Sequence, residues 1–147
     1  MLLSELKRHF MLQEMQDAGT YVSVGVTAVT QALLEAWALE NNFELDADLH
    51  CTLLCSRVSI AVQPCTDEFI AAPVGFSRFG NAVAVELESL GLSLRHQGYI
   101  NQGGVHYFDQ YRPHLTLKLE GADIDITALS EVNFGLSFSG MKVAECL

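Results

Sequence analysis

Two short stretches of the chain alternate so regularly between apolar and polar residues that each reads as a β-strand with one buried and one solvated face. In Pro113-His114-Leu115-Thr116-Leu117-Lys118-Leu119-Glu120, the leucines at 115, 117 and 119 share one face, and His114, Thr116, Lys118 and Glu120 share the other. In Leu49-His50-Cys51-Thr52-Leu53-Leu54-Cys55-Ser56, the same rule sets Leu49, Cys51, Leu53 and Cys55 against His50, Thr52, Leu54 and Ser56. A helix would scatter these residues around its circumference. As strands, both segments present an imidazole and a threonine hydroxyl ~7 Å apart on one side.

The segments around them repeat a pattern. A strand is expected over 20–26, with Val22, Val24 and Val26 facing one way, followed by a helix over 27–42. Thr27 is a suitable N-cap for that helix, Asn41-Asn42 its end, and Val29, Leu33, Leu34 and Trp37 its buried side. The His50 strand, over 49–58, comes next. Further on, the order recurs as a strand over 82–87, a helix over 89–99 weakened by Gly91 and Gly98, and the His114 strand. Extended structure over 60–74 interrupted at Pro64 and Pro73, a short helix over 124–129 and a last strand over 132–145 complete the reading. An amphipathic N-terminal helical segment, within residues 1–18, precedes all of this and can pack on its own domain or on a second copy of the chain in a homo-oligomer. The strict βαβ rhythm of a parallel sheet is absent, so the expected class is α+β, mostly antiparallel, folded as a single domain over 1–147. The duplication implies two lobes with matching strands facing one another.

Charge narrows the partners. Eight Lys and Arg stand against eighteen Asp and Glu, a net −10, which is too little positive charge to track long DNA or RNA. A small phosphate ester remains compatible, because a pocket can be locally positive inside an acidic protein. No apolar run reaches the ~20 residues of a membrane helix, and Glu5 and Lys7-Arg8-His9 spoil a secretory layout, so a cytoplasmic protein with no membrane partner is expected. The cysteines at 51, 55, 65 and 146 show no Cys-x-x-Cys spacing. On a strand, Cys51 and Cys55 lie ~13 Å apart, beyond disulfide reach, which suggests free and mostly buried thiols.

Two imidazoles and two hydroxyls on rigid strands suit in-line displacement at phosphorus. A neutral histidine takes a proton from the attacking oxygen, and a protonated one gives a proton to the leaving oxygen. The threonines donate to the non-bridging oxygens. Neither a His-Glu-x-x-His motif nor an Asp-rich ligand loop occurs, so no metal site and no cofactor are expected. Arg57 and Arg112 flank the two strands as phosphate contacts or solvated strand-end charges. His106, Tyr107, Phe108 and Tyr111 read as cleft-mouth or loop-packing residues, His9 and His96 as surface residues, and Trp37 as core.

At these residues the chain resembles the two-histidine (2H) phosphoesterase superfamily, which carries a repeated His-x-Thr/Ser motif on the facing strands of two lobes. Gly19-Thr20-Tyr21-Val22, the end of the helix at Trp37 to Asn42, the stretch from Leu49 to Arg57 and Arg112-Pro113-His114-Leu115-Thr116-Leu117 are similar to one branch of it, the phage anti-CBASS phosphodiesterases. The resemblance implies mostly antiparallel sheets facing across a central cleft. It also implies metal-independent hydrolysis of 3′–5′ linkages in cyclic di- and trinucleotide immune signals, in the cytoplasm of an infected bacterium if the chain is phage-encoded. It gives His50 and His114 the acid and base roles, Thr52 and Thr116 the phosphate, Tyr21 a nucleobase and Glu145 a substrate contact. The alternatives are a 2′,3′-cyclic phosphodiesterase acting on RNA ends and a non-cleaving cyclic-nucleotide sponge.

Overall fold

The computed structural model describes residues 19–146; the expected N-terminal helix lies outside the described residues. Six strands and two α-helices follow in the order β1 (Gly19–Val26), α1 (Ala28–Glu40), β2 (His50–Ser56), β3 (Phe69–Phe79), β4 (Ala82–Glu88), α2 (Leu90–Asn101), β5 (His114–Lys118), a 3-10 turn (Ile126–Ala128) and β6 (Leu136–Cys146). The strand–helix–strand–strand unit therefore occurs twice. None of the helices among these residues is long and apolar enough to cross a membrane.

The helices form where caps and periodicity agree. Thr27 caps α1 by accepting from the Thr30 amide, and Asn42 ends it with a left-handed φ of 49°. Thr30, Leu34, Trp37 and Ala38 make its buried stripe. Val29 and Leu33, expected inside, are 71% and 39% exposed, because they lie off that stripe. Ser137 anchors the start of α1 to β6: its Oγ bonds Thr27 Oγ1 at 2.6 Å and Thr30 Oγ1 at 2.9 Å. Trp37 packs on Phe43 and Phe76 and donates Nε1–H to the Ser130 carbonyl at 2.9 Å. Ser89 caps α2, which buries Leu92, His96 and Tyr99 at the same helical spacing. His96 is thus a core residue and not a surface one, since it falls on the stripe that Leu92 and Tyr99 define.

All neighbouring strands are antiparallel, and they close into one ring in the order β1-β2-β5-β4-β3-β6. The sequence pattern suggests two sheets; the hydrogen bonding joins them. Long ladders link β6-β1-β2 on one side and β3-β4-β5 on the other. Between these halves the seams are short: β2 meets β5 at Cys51–Leu115, and β3 meets β6 over Phe69–Phe138, Ile70–Ser137 and Ala71–Leu136. Each unit gives its last strand to the other half, β3 to β4 and β6 to β1, and this exchange closes the ring.

Each His-x-Thr strand carries a β-bulge just after its threonine. On β2 the register steps from Ser23–Thr52 to Val22–Leu54, leaving Leu53 as the extra residue. On β5 it steps from Ala84–Thr116 to Val83–Lys118, leaving Leu117. A bulge breaks the two-residue alternation. Leu54 and Ser56, expected beside His50, are fully buried, and Cys55 turns to the half-buried side. Leu119, expected in the core, is 64% exposed just past the end of β5.

Candidate active site

The short seam between β2 and β5 is where the two motifs meet. Cys51 and Leu115 pair across it and are fully buried, so the residues on either side of each project to the opposite, half-buried face. By antiparallel register His50 faces Thr116 and Thr52 faces His114, with the two histidines on a diagonal roughly 7–8 Å apart. All four predicted residues therefore share one side of one seam.

Both imidazoles are tethered alike. His50 Nδ1 lies 3.0 Å from the Asp48 carbonyl oxygen, and His114 Nδ1 lies 2.7 Å from that of Arg112. A carbonyl can only accept, so Nδ1 carries the proton in each ring and Nε2 is the nitrogen that keeps its lone pair. In both cases the tether reaches two residues back along the chain, a second sign of the duplication. Phe79 stacks on the His114 ring at 4.5 Å between centroids, and the Arg112 guanidinium covers Phe79 at 5.2 Å. Glu86, opposite His114 on β4, is ion-paired with Arg112. Phe79 and Glu86 are missing from the sequence reading. Glu86 had a signal, since it shares the face of Ala82 and Ala84 in an alternating segment; Phe79 had none.

Tyr21 joins this face, its Oη sharing a 2.8 Å hydrogen bond with Thr52 Oγ1. Glu145 does not join the group. It is exposed and pairs with Thr20, whose side chain is buried on the face of β1 away from Tyr21. Among the described residues, no three His, Cys, Asp or Glu side chains converge as metal ligands would. An open groove of about 780 Å³ lies elsewhere, between the 61–69 segment and α2 around Phe69, Arg95 and Tyr99.

Behind Thr52 is a buried brace. Around the bulge, three side chains from the second half hold the β2 backbone. Tyr111 Oη donates to the Thr52 carbonyl at 2.8 Å, His96 Nδ1–H donates to Leu53 at 2.7 Å, and the Cys55 amide donates to His106 Nδ1 at 3.3 Å. His96 stacks on Tyr111 at 4.1 Å and meets the edge of His106 at 4.7 Å. Burial pushes the Tyr111 hydroxyl well up and the Cys51 thiol up to about 12, so both stay protonated and Cys51 is no nucleophile.

The brace has a pH signature. Burial lowers the His96 pKa, and burial together with the neighbouring His96 lowers that of His106. Depressed histidines mean that the unfolded chain binds protons first, so their contribution is complete above about 6.5 and is lost as pH falls below it. Melting temperature is expected to be level from pH 8 to 7 and to fall between pH 6.5 and 5. A His106→Gln variant should show a shallower fall in the same melts. Asp67 and Asp125, whose lowered values come from hydrogen bonds to Arg95 and Thr127, act only at more acid pH.

Fold and site together define a small α+β protein in which a duplicated unit brings one His–Thr pair from each half to a common face. The sequence model of the anti-CBASS protein Acb1 family matches residues 18–146, and the chain belongs to that family. It is similar to an anti-CBASS protein Acb1 of Sphingomonas paeninsulae, 27% identical over 158 residues that take in 93% of this chain. The chain spans 25% of the length of that relative.

Proposed function

We propose that the chain is a metal-independent phosphodiesterase that opens the 3′–5′ linkages of cyclic di- and trinucleotide alarm signals, countering the defence they trigger in the cytoplasm of an infected bacterium. The thin seams of the ring are then the meeting lines of two lobes in a 2H-phosphoesterase-like fold. The observation that carries the reading is the matched pair of imidazoles, each with Nδ1 tied to a carbonyl and Nε2 left for chemistry, on one face with two threonine hydroxyls.

The reaction follows from that pairing. One Nε2 takes the proton from a ribose 2′-hydroxyl, whose oxygen bonds to phosphorus while the bond from phosphorus to the 5′-oxygen breaks. The other histidine, protonated, supplies a proton to that leaving oxygen. Thr52 and Thr116 donate to the non-bridging oxygens and hold phosphorus between the rings. The resulting 2′,3′-cyclic phosphate is opened by water with the proton roles reversed, which a near-symmetric site allows without rearrangement. Tyr21 offers a stacking surface for a base. Glu145, opposite Thr20, has no part in this reading.

The test mixes the purified chain with cyclic GMP–AMP, and separately with an RNA ending in a 2′,3′-cyclic phosphate, and resolves the products by chromatography with and without chelator. Linearised dinucleotide at an undiminished rate in chelator is the expected result. Cleavage of the RNA end alone would make the chain an RNA-end enzyme, and tight binding without product would make it a sponge. Activity abolished by chelator would overturn the metal-free chemistry.

A further inference from the structure

Beyond the end of its pairing with β5, β2 gains another neighbour on that edge. An isolated antiparallel bridge joins Ser56 to His106, the Tyr107 amide donates to the Cys55 carbonyl at 2.9 Å, and the Arg57 amide donates to that of Val105 at 2.8 Å. Tyr107 thus faces Cys55 across this edge, and Cys55 faces Tyr21 across β1. Residues directly opposite in antiparallel pairing share a face, so Tyr21, Cys55 and Tyr107 form a row on one side of the sheet. It is the side of the His–Thr quartet, because the Tyr21 hydroxyl bonds that of Thr52 at 2.8 Å. The two tyrosine backbones are two strand spacings apart, about 10 Å.

Tyr107 is also dressed for a flat ligand. It is 42% exposed, unlike the half-buried Tyr21, and the Arg57 guanidinium sits 5.1 Å from its ring centroid while Nη2 donates to its carbonyl at 3.4 Å. A cation on one side of an exposed aromatic ring fixes the ring and leaves the rest of its surface for stacking. We propose that Tyr107, backed by Arg57, is the platform for a second nucleobase of the substrate, so that the site grips a cyclic nucleotide by two bases and discriminates against single nucleotides. This rests on the phosphodiesterase reading above for its substrate class.

The experiment compares wild type, Tyr107→Leu and Tyr107→Trp, with kcat and KM measured for cyclic GMP–AMP and for a 2′,3′-cyclic mononucleotide. Loss of a stacked base is worth roughly tenfold or more in affinity. Tyr107→Leu is expected to raise KM for cyclic GMP–AMP about tenfold with kcat changed less than twofold, so that its preference for the dinucleotide over the mononucleotide falls by the same factor. Tyr107→Trp should keep the wild-type preference, and a melting curve of Tyr107→Leu guards against a folding defect in that variant. An unchanged KM in Tyr107→Leu, or equal losses on both substrates, would overturn the proposal. Binding of cyclic GMP–AMP by calorimetry separates the two readings. If wild type binds without turnover, the phosphodiesterase reading fails, yet the platform stands if Tyr107→Leu still binds about tenfold more weakly. If wild type does not bind it, both fail.

Discussion

Replacing His114 by alanine is expected to lower turnover of a cyclic dinucleotide by about 10²–10⁴-fold, the usual worth of a positioned proton carrier. The substitution removes Nε2, the atom left available by the Arg112 tether, and uncovers the face of Phe79. His114 is half-buried on the site face, and the core face of β5 is held by Leu115 and Leu117, so the melting temperature should move by only a few degrees. His50→Ala should cost a similar factor, since His50 has the same tether on the other half of the seam. On the proposed mechanism the two rings serve one reaction as base and acid, so the double variant should be little worse than either single one. Initial rates with cyclic GMP–AMP, read beside thermal melts, check all three. A His114→Ala protein retaining more than a tenth of wild-type turnover would remove His114 from the chemistry.

The largest expected effect on stability is at Gly19. A Cβ built there would sit 1.7 Å from the Ser56 carbonyl oxygen and 2.9 Å from its carbon, and neither atom can move without parting β1 from β2. Gly19→Ala should therefore destabilise the chain by about 3 kcal/mol or more, at or above the top of the range for overpacking. For a chain of this length that is a drop of roughly 10 °C in melting temperature. Gly25, on the same strand, is the control: its nearest atoms lie 3.8 and 4.0 Å from the added carbon, so Gly25→Ala should shift melting little. Because β1 carries Tyr21 to Thr52, whatever folded protein Gly19→Ala yields should also bind nucleotide more weakly.

Much of this site is legible in residue order because it depends on short-range rules. Alternation alone puts His50 with Thr52 and His114 with Thr116, and the structure keeps both pairs together. The recurrence of strand, helix and His-x-Thr strand is likewise visible, and it is the duplicated unit of the ring. What alternation misses begins at the bulges. Leu53 and Leu117 look like any other leucines in an apolar strand, yet each is the extra residue that ends the simple face rule. Leu54 and Ser56 therefore go to the core, and Cys55 comes out beside Tyr21. His96 is misread for a related reason: its helical stripe can be assigned only once Leu92 and Tyr99 are known to be the buried positions. The pairing of β6 with β1 and with β3 joins distant parts of the chain through long-range register, which no local pattern encodes.

That exchange of final strands has a topological consequence. A chain whose two halves each lend a strand to the other is a domain-swapped dimer written as a single polypeptide, with the hairpin at Gly80 and Asn81 as the covalent link between the copies. A fragment ending at that hairpin would hold one His–Thr pair of the seam, a β1-β2 ladder open on both edges, and β3 stripped of both its neighbours. Neither fragment contains both His–Thr pairs; they meet only at the β2–β5 junction, so the common face forms in the same step as the closed ring.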